Sequence, residues 1–288
     1  MQVLTSTTAV QSRALDLRAS ERSIGLVPTM GALHEGHLSL VRAARRENDV
    51  VLVSLFVNPT QFGPTEDLAR YPRDLEGDRQ KLEDEGADIL WRPPVEEVYP
   101  PGYQTYIRVE DLETRLDGAT RPGHFRGVAT VVSKLFHVCL PHRAYFGQKD
   151  AAQVAVIRRL AQDLNFPLRV IVCPIVREPD GLAMSSRNAY LSPADRQAAT
   201  VLYRSLQAAV SLYHAGNHAA ESLRQCLIAA ISSEPRAKLD YAAAVDPDTL
   251  QPLDQVTRPT LLAVAAWFGG TRLIDNAVVA PRAHSLLP

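Results

Sequence analysis

The chain has 288 residues, of which 46% are hydrophobic and 22% are charged, and its formal net charge is −1. This composition is ordinary for a soluble globular protein, and the length suits one large domain or two ordinary ones. Because the net charge is close to zero, no overall field favours binding to nucleic acid or to an anionic membrane.

The cysteines and the apolar segments bear on the compartment. Cys139, Cys173 and Cys226 lie far apart, which argues against a disulfide framework or a cysteine zinc site and suits a reducing compartment. No apolar run approaches the ~20 residues that span a bilayer. The N-terminal segment lacks a secretory pattern and is expected to form an ordinary first helix. We therefore expect a cytoplasmic protein.

The first part of the chain alternates between strand and helix patterns. Ile24–Val27 predicts a strand, apolar residues recur at helical spacing from Leu38 to Glu47, and Val50–Val57 is almost continuously apolar and β-branched. A run of that last kind is typical of a strand buried on both faces of a parallel sheet. Further predicted helices cover Leu75–Glu85, Phe125–Val138 and Ala151–Leu164, and further strands cover Ala87–Trp91, Arg143–Phe146 and Leu168–Val172. Such alternation indicates a doubly wound, Rossmann-like α/β domain over residues 1–176.

The second part places helices before strands. Its predicted elements are a long helix from Ser192-Pro193 to about His214, a helix over Ala219–Ser232, strands over Tyr241–Val245 and Leu261–Phe268, and a hairpin turn at Gly269-Gly270. This order predicts a smaller α+β domain over residues 177–288.

The segment Pro28-Thr-Met-Gly-Ala-Leu-His34-Glu-Gly-His37 joins the first predicted strand to a helix. It places two histidines three residues apart at the helix start, with Gly31 at the turn and Gly36 between the histidines. Helix N-termini attract anions, imidazoles donate hydrogen bonds to phosphate oxygens, and glycine lets a nucleotide approach the backbone. The segment predicts a triphosphate site, although His-x-x-His also matches a loose metal-ligand spacing.

Two polar segments follow later elements. In open α/β sheets, ligands bind beyond the carboxyl ends of the strands. Asn58 and Gln61, in Phe56-Val-Asn-Pro-Thr-Gln-Phe62, could hydrogen-bond a small polar substrate; the alternative is an Asn-Pro turn that only ends the strand. The segment Arg121-Pro-Gly-His-Phe-Arg-Gly127 has the Pro and Gly of a helix entry, and the sequence assigns no specific role to its Arg121 or His124.

Charged and hydroxyl side chains occur in two further segments. Lys149 could place a point charge against phosphate oxygens, and Asp150 could either cap a helix or contact ribose hydroxyls. Gln153 lies one helical turn further on. In Met184-Ser-Ser-Arg-Asn188, two hydroxyls and a guanidinium could surround a phosphate, although Ser/Arg loops are also common in linkers.

These motifs together resemble one enzyme family. PTMGALHEGH, FVNPTQF, RPGHFRG, FGQKD followed by Gln153, and MSSRN, with GTRLIDN at residues 270–276, are similar to the pantothenate synthetase (pantoate–beta-alanine ligase) family. That family is part of the His-x-x-His adenylyl-transferring superfamily, whose members often carry Lys where Arg187 stands. The five motifs occur in the family's order over roughly residues 24–190.

The resemblance implies a reaction and a set of partners. ATP would adenylate pantoate, and beta-alanine would then attack the pantoyl adenylate to give pantothenate, AMP and pyrophosphate. Mg²⁺ would bridge phosphate oxygens and the protein would be a homodimer. Separately from the resemblance, we expect the second domain to cover the site. Neither nucleic acid nor a membrane would be a partner.

The resemblance also implies site residues, matched position by position. Catalytic roles are implied for His34, His37, Lys149, Ser185, Ser186 and Arg187 around the phosphates. The implied ATP-binding residues are Met30, Gly31, His34, Gly36, His37, Gly147, Gln148, Lys149, Asp150, Val176, Met184, Ser185, Ser186 and Arg187. The implied substrate-binding residues are Asn58, Gln61 and Gln153, and the protein ligands of Mg²⁺ are not indicated.

Two other function classes fit part of the pattern. A nucleotidylyltransferase acting on a phosphate-containing acceptor would share the His-x-x-His segment, but it would need a basic acceptor pocket, which the neutral pair Gln61 and Gln153 does not provide. A catalytically silent nucleotide-binding module would not require an intact set of phosphate-directed side chains. ATP–pyrophosphate exchange with and without pantoate separates the three.

Overall fold

The structure, a computed structural model, describes residues 1–64 and 66–281. The chain divides into a first unit, Met1–Val176, and a second unit that begins at Arg177. Among the described residues, no helix is long and apolar enough to cross a membrane.

The first unit contains a parallel sheet and its flanking helices. Its strands are β1 Gln2–Leu4, β2 Ile24–Thr29, β3 Val50–Leu55, β4 Ile89–Trp91, β5 Arg143–Gly147 and β6 Arg169–Cys173. Its helices are α1 Thr7–Ala19, α2 Glu35–Glu47, α3 Leu75–Asp84, α4 Val95–Val98, α5 Asp117–Thr120, α6 His124–Cys139 and α7 Ala151–Asp163. The predicted doubly wound parallel fold is thereby confirmed.

The strand order of this sheet is β1-β4-β3-β2-β5-β6, and every described pairing is parallel. The order runs outward from β2 in one direction through β3 and β4, and in the other through β5 and β6. The order in which strands are added to the sheet therefore reverses between β2 and β5. Ligands of such sheets bind beyond the carboxyl ends of the strands at the point of reversal. The loops that follow β2, β3 and β5 share this edge.

The burial of the central strands explains why they could be predicted from the sequence. All six residues of β3 are buried, as expected for a strand covered on both faces. The short edge strand β1 was not predicted, because three residues carry no periodicity and the strand forms by pairing with β4. An ordinary N-terminal helix was expected, and it forms as α1 after β1.

The second unit packs helices on an antiparallel sheet. Its elements are α8 Pro193–Ala198, α9 Val201–His214, α10 Ala220–Ser232, β7 Ala237–Val245, β8 Thr260–Phe268 and β9 Thr271–Val279, with strand order β7-β8-β9. Phe268 pairs with Thr271, so Gly269-Gly270 forms the predicted two-residue hairpin loop. The smaller α+β unit is confirmed.

The predicted single helix from Ser192-Pro193 to His214 was wrong in one respect. It is two helices, because the hydrogen bond at their junction reaches back three residues instead of four. The Thr200 amide donates to the Gln197 carbonyl at 3.3 Å, and the Thr200 hydroxyl donates to the same oxygen at 2.8 Å. A threonine hydroxyl that bonds back to the preceding turn competes with the regular helical pattern.

Candidate active site

A buried carboxylate fixes the loop between β2 and α2. Gly31 and Ala32 both have left-handed backbone conformations, with φ of +89° and +52°. Asp78 of α3 is 0% exposed and accepts hydrogen bonds from the amides of Ala32 at 2.8 Å and Leu33 at 2.7 Å. A Cβ at Gly31 would lie 3.1 Å from the Asp78 carboxylate. Two carboxylate bonds therefore hold an otherwise unfavourable turn.

Asp78 is neither a surface residue nor a candidate metal ligand. Both of its oxygens are engaged by main-chain amides, so it belongs to the scaffold of the loop. The sequence does not predict this role, because Asp78 is 45 residues or more from the loop that it binds. Lys81, one turn along α3, donates to the Leu33 carbonyl at 2.9 Å and strengthens the same attachment.

The two histidines of the loop cap α2 reciprocally. The Nδ1 atom of His34 accepts from the Gly36 amide at 3.1 Å, and the Nδ1 atom of His37 accepts from the His34 amide at 3.4 Å. The ring centroids are 4.1 Å apart. A neutral imidazole that accepts through Nδ1 carries its proton on Nε2. Each ring can therefore present an Nε2–H donor at the start of a helix.

The electrostatics keep His37 neutral. Burial, together with the nearby His34, Lys149 and Lys81, lowers the pKa of His37 from 6.5 to about 3. Lys149 follows β5, which is the neighbour of β2 in the sheet, and its positive charge contributes to the lowered pKa of His37. The site thus combines neutral N–H donors with a lysine, which suits binding of an anion without a proton being gained from solvent.

Acid should destabilise this protein through its buried histidines. Burial and Arg121 lower the pKa of His124 to about 4, so His37 and His124 both hold protons more weakly when folded. Below pH 6.5 these two histidines take up protons in the unfolded chain but not in the folded chain. The free energy of unfolding should therefore fall as the pH drops from 6.5 towards about 4.

Urea unfolding at about pH 7.5 and about pH 5 measures this loss. His124→Asn, which removes one of the two groups, should lose less stability over the interval than the unmodified chain. An equal loss in the two proteins would show that His124 does not contribute.

The amides after β3 are locked by hydrogen bonds. Asn58 is 1% exposed and donates to Gln61 Oε1 at 3.1 Å and to the Gly127 carbonyl at 3.1 Å, while its Oδ1 accepts from the Tyr99 hydroxyl at 2.9 Å. The Gln61 amide nitrogen is 3.1 Å from the Met30 sulfur. Asn58 therefore does more than end the strand: it orients Gln61 beside the loop that follows β2. Tyr99, which the sequence did not single out, completes this arrangement.

The residues after β5 begin α7. Lys149 Nζ is 3.9 Å from Asp150 Oδ1, and the Asp150 side chain is 48% exposed. Asp150 occupies the N-cap position of α7 but its side chain makes no capping bond to the described helix, so the capping interpretation does not account for it. Gln153 is partly exposed in the first turn of the helix. Gly147 and Gln148 precede Lys149, and Val176 ends the first unit.

The Ser/Arg segment belongs to the second unit. Ser185 caps the short 3₁₀ helix Ser186–Tyr190 by accepting from the Arg187 amide at 3.3 Å, and Met184 precedes it. The chain enters this turn from an antiparallel bridge between Arg177 and Ala183. Arg177 forms a bidentate ion pair with Asp275 at 2.6 and 3.0 Å. Asp275 is the aspartate of the GTRLIDN segment, so that motif supports the Ser/Arg turn.

The metal interpretation of His-x-x-His lacks further ligands. Among the residues that the structure describes, no group of three or more His, Cys, Asp or Glu side chains could hold a metal ion. The arrangement in the first unit is instead one of neutral imidazoles, a lysine and oriented amides at a single sheet edge. Such a set can bind a polyanion and a small polar molecule next to each other.

Sequence comparisons identify similar proteins along nearly the whole chain. The family model described as Pantoate-beta-alanine ligase matches residues 2–278. The pantothenate synthetase of Thermotoga petrophila is 54% identical over 279 residues, which cover 97% of this chain and 100% of that protein. The pantothenate synthetase of Roseiflexus castenholzii is 59% identical over 261 residues, covering 91% of this chain and 94% of that protein.

Solved structures agree with the sequence comparisons. A crystal structure of pantothenate synthetase from Thermus thermophilus has a TM-score of 0.91 at 48% identity and covers 98% of this chain and 100% of that one. The pantoate-beta-alanine ligase of Francisella tularensis, complexed with beta-gamma ATP and beta-alanine, has a TM-score of 0.79 at 36% identity, with 96% and 97% covered. The matched ranges include both units.

Proposed function

Because this chain belongs to the pantoate–beta-alanine ligase family, we propose that the sheet edge beyond β2, β3 and β5 binds ATP and pantoate side by side for adenylation. The chain is an ATP-dependent ligase that condenses pantoate with beta-alanine to pantothenate through a pantoyl adenylate, releasing AMP and pyrophosphate. Family membership excludes the nucleotidylyltransferase and the silent binding module as interpretations of the His-x-x-His segment.

The two half-reactions explain why the enzyme needs no nucleophile of its own. A carboxylate is a poor acyl donor because its leaving group would be oxide. A pantoate carboxylate oxygen attacks the α-phosphorus, and pyrophosphate leaves. The beta-alanine amine then attacks the acyl carbon, AMP leaves with the C–O bonding pair, and the amine loses a proton. Both steps depend on positioning and on stabilisation of phosphate charge.

The hydrogen-bond donors of the site are proposed to bind the phosphates of ATP. His34 and His37 would donate through Nε2–H, and Lys149 would supply the positive charge that neutral imidazoles lack. The proposal gives Ser185, Ser186 and Arg187 the same phosphate-directed role within the second unit. Residues proposed to line the rest of the nucleotide site are Met30, Gly31, Gly36, Gly147, Gln148, Asp150, Val176 and Met184.

One observation carries the substrate assignment. Gln61 is 8% exposed, and its side-chain amide is bonded to Asn58 and contacts Met30 of the loop that holds the histidines. A neutral amide can bind the hydroxyl and carboxylate groups of pantoate without adding charge next to the triphosphate. Gln61 and Gln153 are therefore proposed to bind pantoate, with Asn58 orienting Gln61.

Gln61→Ala and Gln153→Ala should each weaken pantoate binding by about 1–3 kcal/mol, because a buried polar partner is left unpaired. ATP affinity should stay within about twofold of normal, since no charge is removed. Separate titrations of the two substrates measure this. Gln80→Ala is the matched control, because Gln80 is exposed on α3 and bonds to Asp84 of the same helix. Loss of ATP affinity with normal pantoate affinity would reverse the two subsites.

Further parts of the proposal concern the ion and the assembly. Mg²⁺ often takes only one or two protein ligands and is otherwise held by substrate phosphates and water, which is compatible with the lack of a group of three or more His, Cys, Asp or Glu ligands among residues 1–64 and 66–281. We also expect a homodimer in the cytoplasm, the latter in keeping with three unpaired cysteines. The expected covering of the site by the second domain stays a prediction.

A further inference from the structure

Arg121 and His124 form one hydrogen-bonded group against the main chain of Gln61. Arg121 Nη1 lies 3.0 Å from His124 Nε2, and His124 Nδ1 lies 2.8 Å from the Gln61 carbonyl oxygen. His124 is 8% exposed and begins α6, directly after Gly123 in a left-handed conformation. The two side chains therefore belong to a buried helix start, 60 residues or more from Gln61 in sequence.

The chemistry of this group sets the tautomer of His124. A guanidinium can only donate, so Nε2 accepts from Arg121 and the ring proton is on Nδ1. Nδ1–H then donates to the Gln61 carbonyl. That carbonyl ends the 3₁₀ turn Pro59–Gln61, where the last carbonyls lack partners within the helix. His124 supplies the shorter of the two donors to this carbonyl, at 2.8 Å, and Arg121 Nη2 supplies the other at 3.5 Å.

The turn Pro59–Gln61 is also closely packed against the first turn of α6. A Cβ at Gly127 would lie 2.4 Å from the Thr60 carbonyl oxygen and 2.6 Å from the main-chain nitrogen of Gln61. The first turn of α6 can thus approach the 3₁₀ turn only because residue 127 is glycine. The Gly127 carbonyl in return accepts the Asn58 side chain at 3.1 Å.

Arg121 extends the group to the segment after Gln61. Its Nε and Nη2 atoms donate to the two carboxylate oxygens of Glu66 at 2.8 and 2.7 Å, and both side chains are less than one quarter exposed. Burial alone would raise the pKa of Glu66, but the bond to Arg121 holds it below its usual range. A fork-to-fork pair of this kind fixes orientation as well as charge.

We propose that Arg121 and His124 are positioning residues for substrate binding by Gln61. They fix its main chain, so that the side-chain amide held by Asn58 and Met30 meets pantoate in one orientation. The inference rests on the proposed role of Gln61. It gives the RPGHFRG segment a purpose that does not require Arg121 or His124 to touch a substrate.

His124→Ala should raise the dissociation constant of pantoate about tenfold, because the Gln61 carbonyl keeps only the long 3.5 Å bond from Arg121 Nη2 and the side-chain amide loses its fixed orientation. The dissociation constant of ATP should change by less than about twofold. His124→Asn should recover most of the affinity, since the Asn side-chain amide can donate where Nδ1–H does. His137→Ala is the matched control: His137 is on the same helix, is exposed, and has its Nδ1 within bonding distance of the Ser133 carbonyl.

A double-mutant cycle separates positioning from general damage. In a Gln61→Ala background, His124→Ala should weaken pantoate binding by no more than about a further twofold. A full additional tenfold loss, or an equal loss of ATP affinity, would overturn the inference. If His124→Ala fails to fold in thermal melting, Arg121→Lys takes its place in the cycle, because it keeps the charge but loses the bidentate fork. Normal pantoate binding by Gln61→Ala would instead refute the proposed function of Gln61.

Discussion

Replacing His37 with alanine should slow formation of the pantoyl adenylate by about 10²–10³-fold, the usual loss when one preorganised charge-stabilising donor is removed. His37 is neutral because its pKa is about 3, and its Nδ1 is committed to the His34 amide, so its proton is on Nε2. Single-turnover formation of the adenylate with ATP and pantoate, without beta-alanine, measures the step directly.

The matched variant is His37→Gln, whose side-chain nitrogen can take the place of Nε2 and keep the donor. Its loss in rate should be clearly smaller than that of His37→Ala. Thermal melting of both proteins distinguishes chemistry from folding, since the cap bond at His37 is long at 3.4 Å and should contribute little. Near-normal adenylate formation by His37→Ala would remove this residue from catalysis.

Asp78→Ala should be the most damaging single change in the scaffold of the site. Two main-chain amides in a left-handed turn would lose their acceptor, at a cost of about 1–3 kcal/mol for each buried group left unpaired. We expect the free energy of unfolding in urea to fall by about 2–4 kcal/mol. Adenylation should slow as well, because the loop that presents His34 is no longer fixed.

Asp74→Ala is the control on the same helix. Asp74 is exposed and caps α3 through the Gly77 amide at 3.1 Å, so its loss should cost about 1 kcal/mol and leave adenylation nearly unchanged. Asp78→Asn keeps the size but turns an amide nitrogen towards one of the two N–H groups, and it should still destabilise the protein. Full activity in Asp78→Ala would show that the turn holds its shape without this carboxylate.

The sequence determined those features that neighbouring residues encode. The continuous apolar run of β3 predicts burial on both faces, the spacing of apolar residues after His37 predicts α2, and Gly269-Gly270 predicts the hairpin of the second unit. The motifs likewise predicted the enzyme family, because several short segments in a fixed order are difficult to match by chance. In each case the signal lies within a few consecutive residues, and local conformation follows from it.

Only the tertiary structure decided which distant side chains complete the site. Asp78 binds amides 45 and 46 residues away, and His124 is bonded to a carbonyl 63 residues away. Strand β1 exists only because β4 offers it an edge to pair with. A carboxylate or imidazole has no periodicity that reveals its partner, and its hydrogen bond is set by where the strands and helices bring the chain together. The order of strands in the sheet therefore determined what each polar residue of the motifs could do.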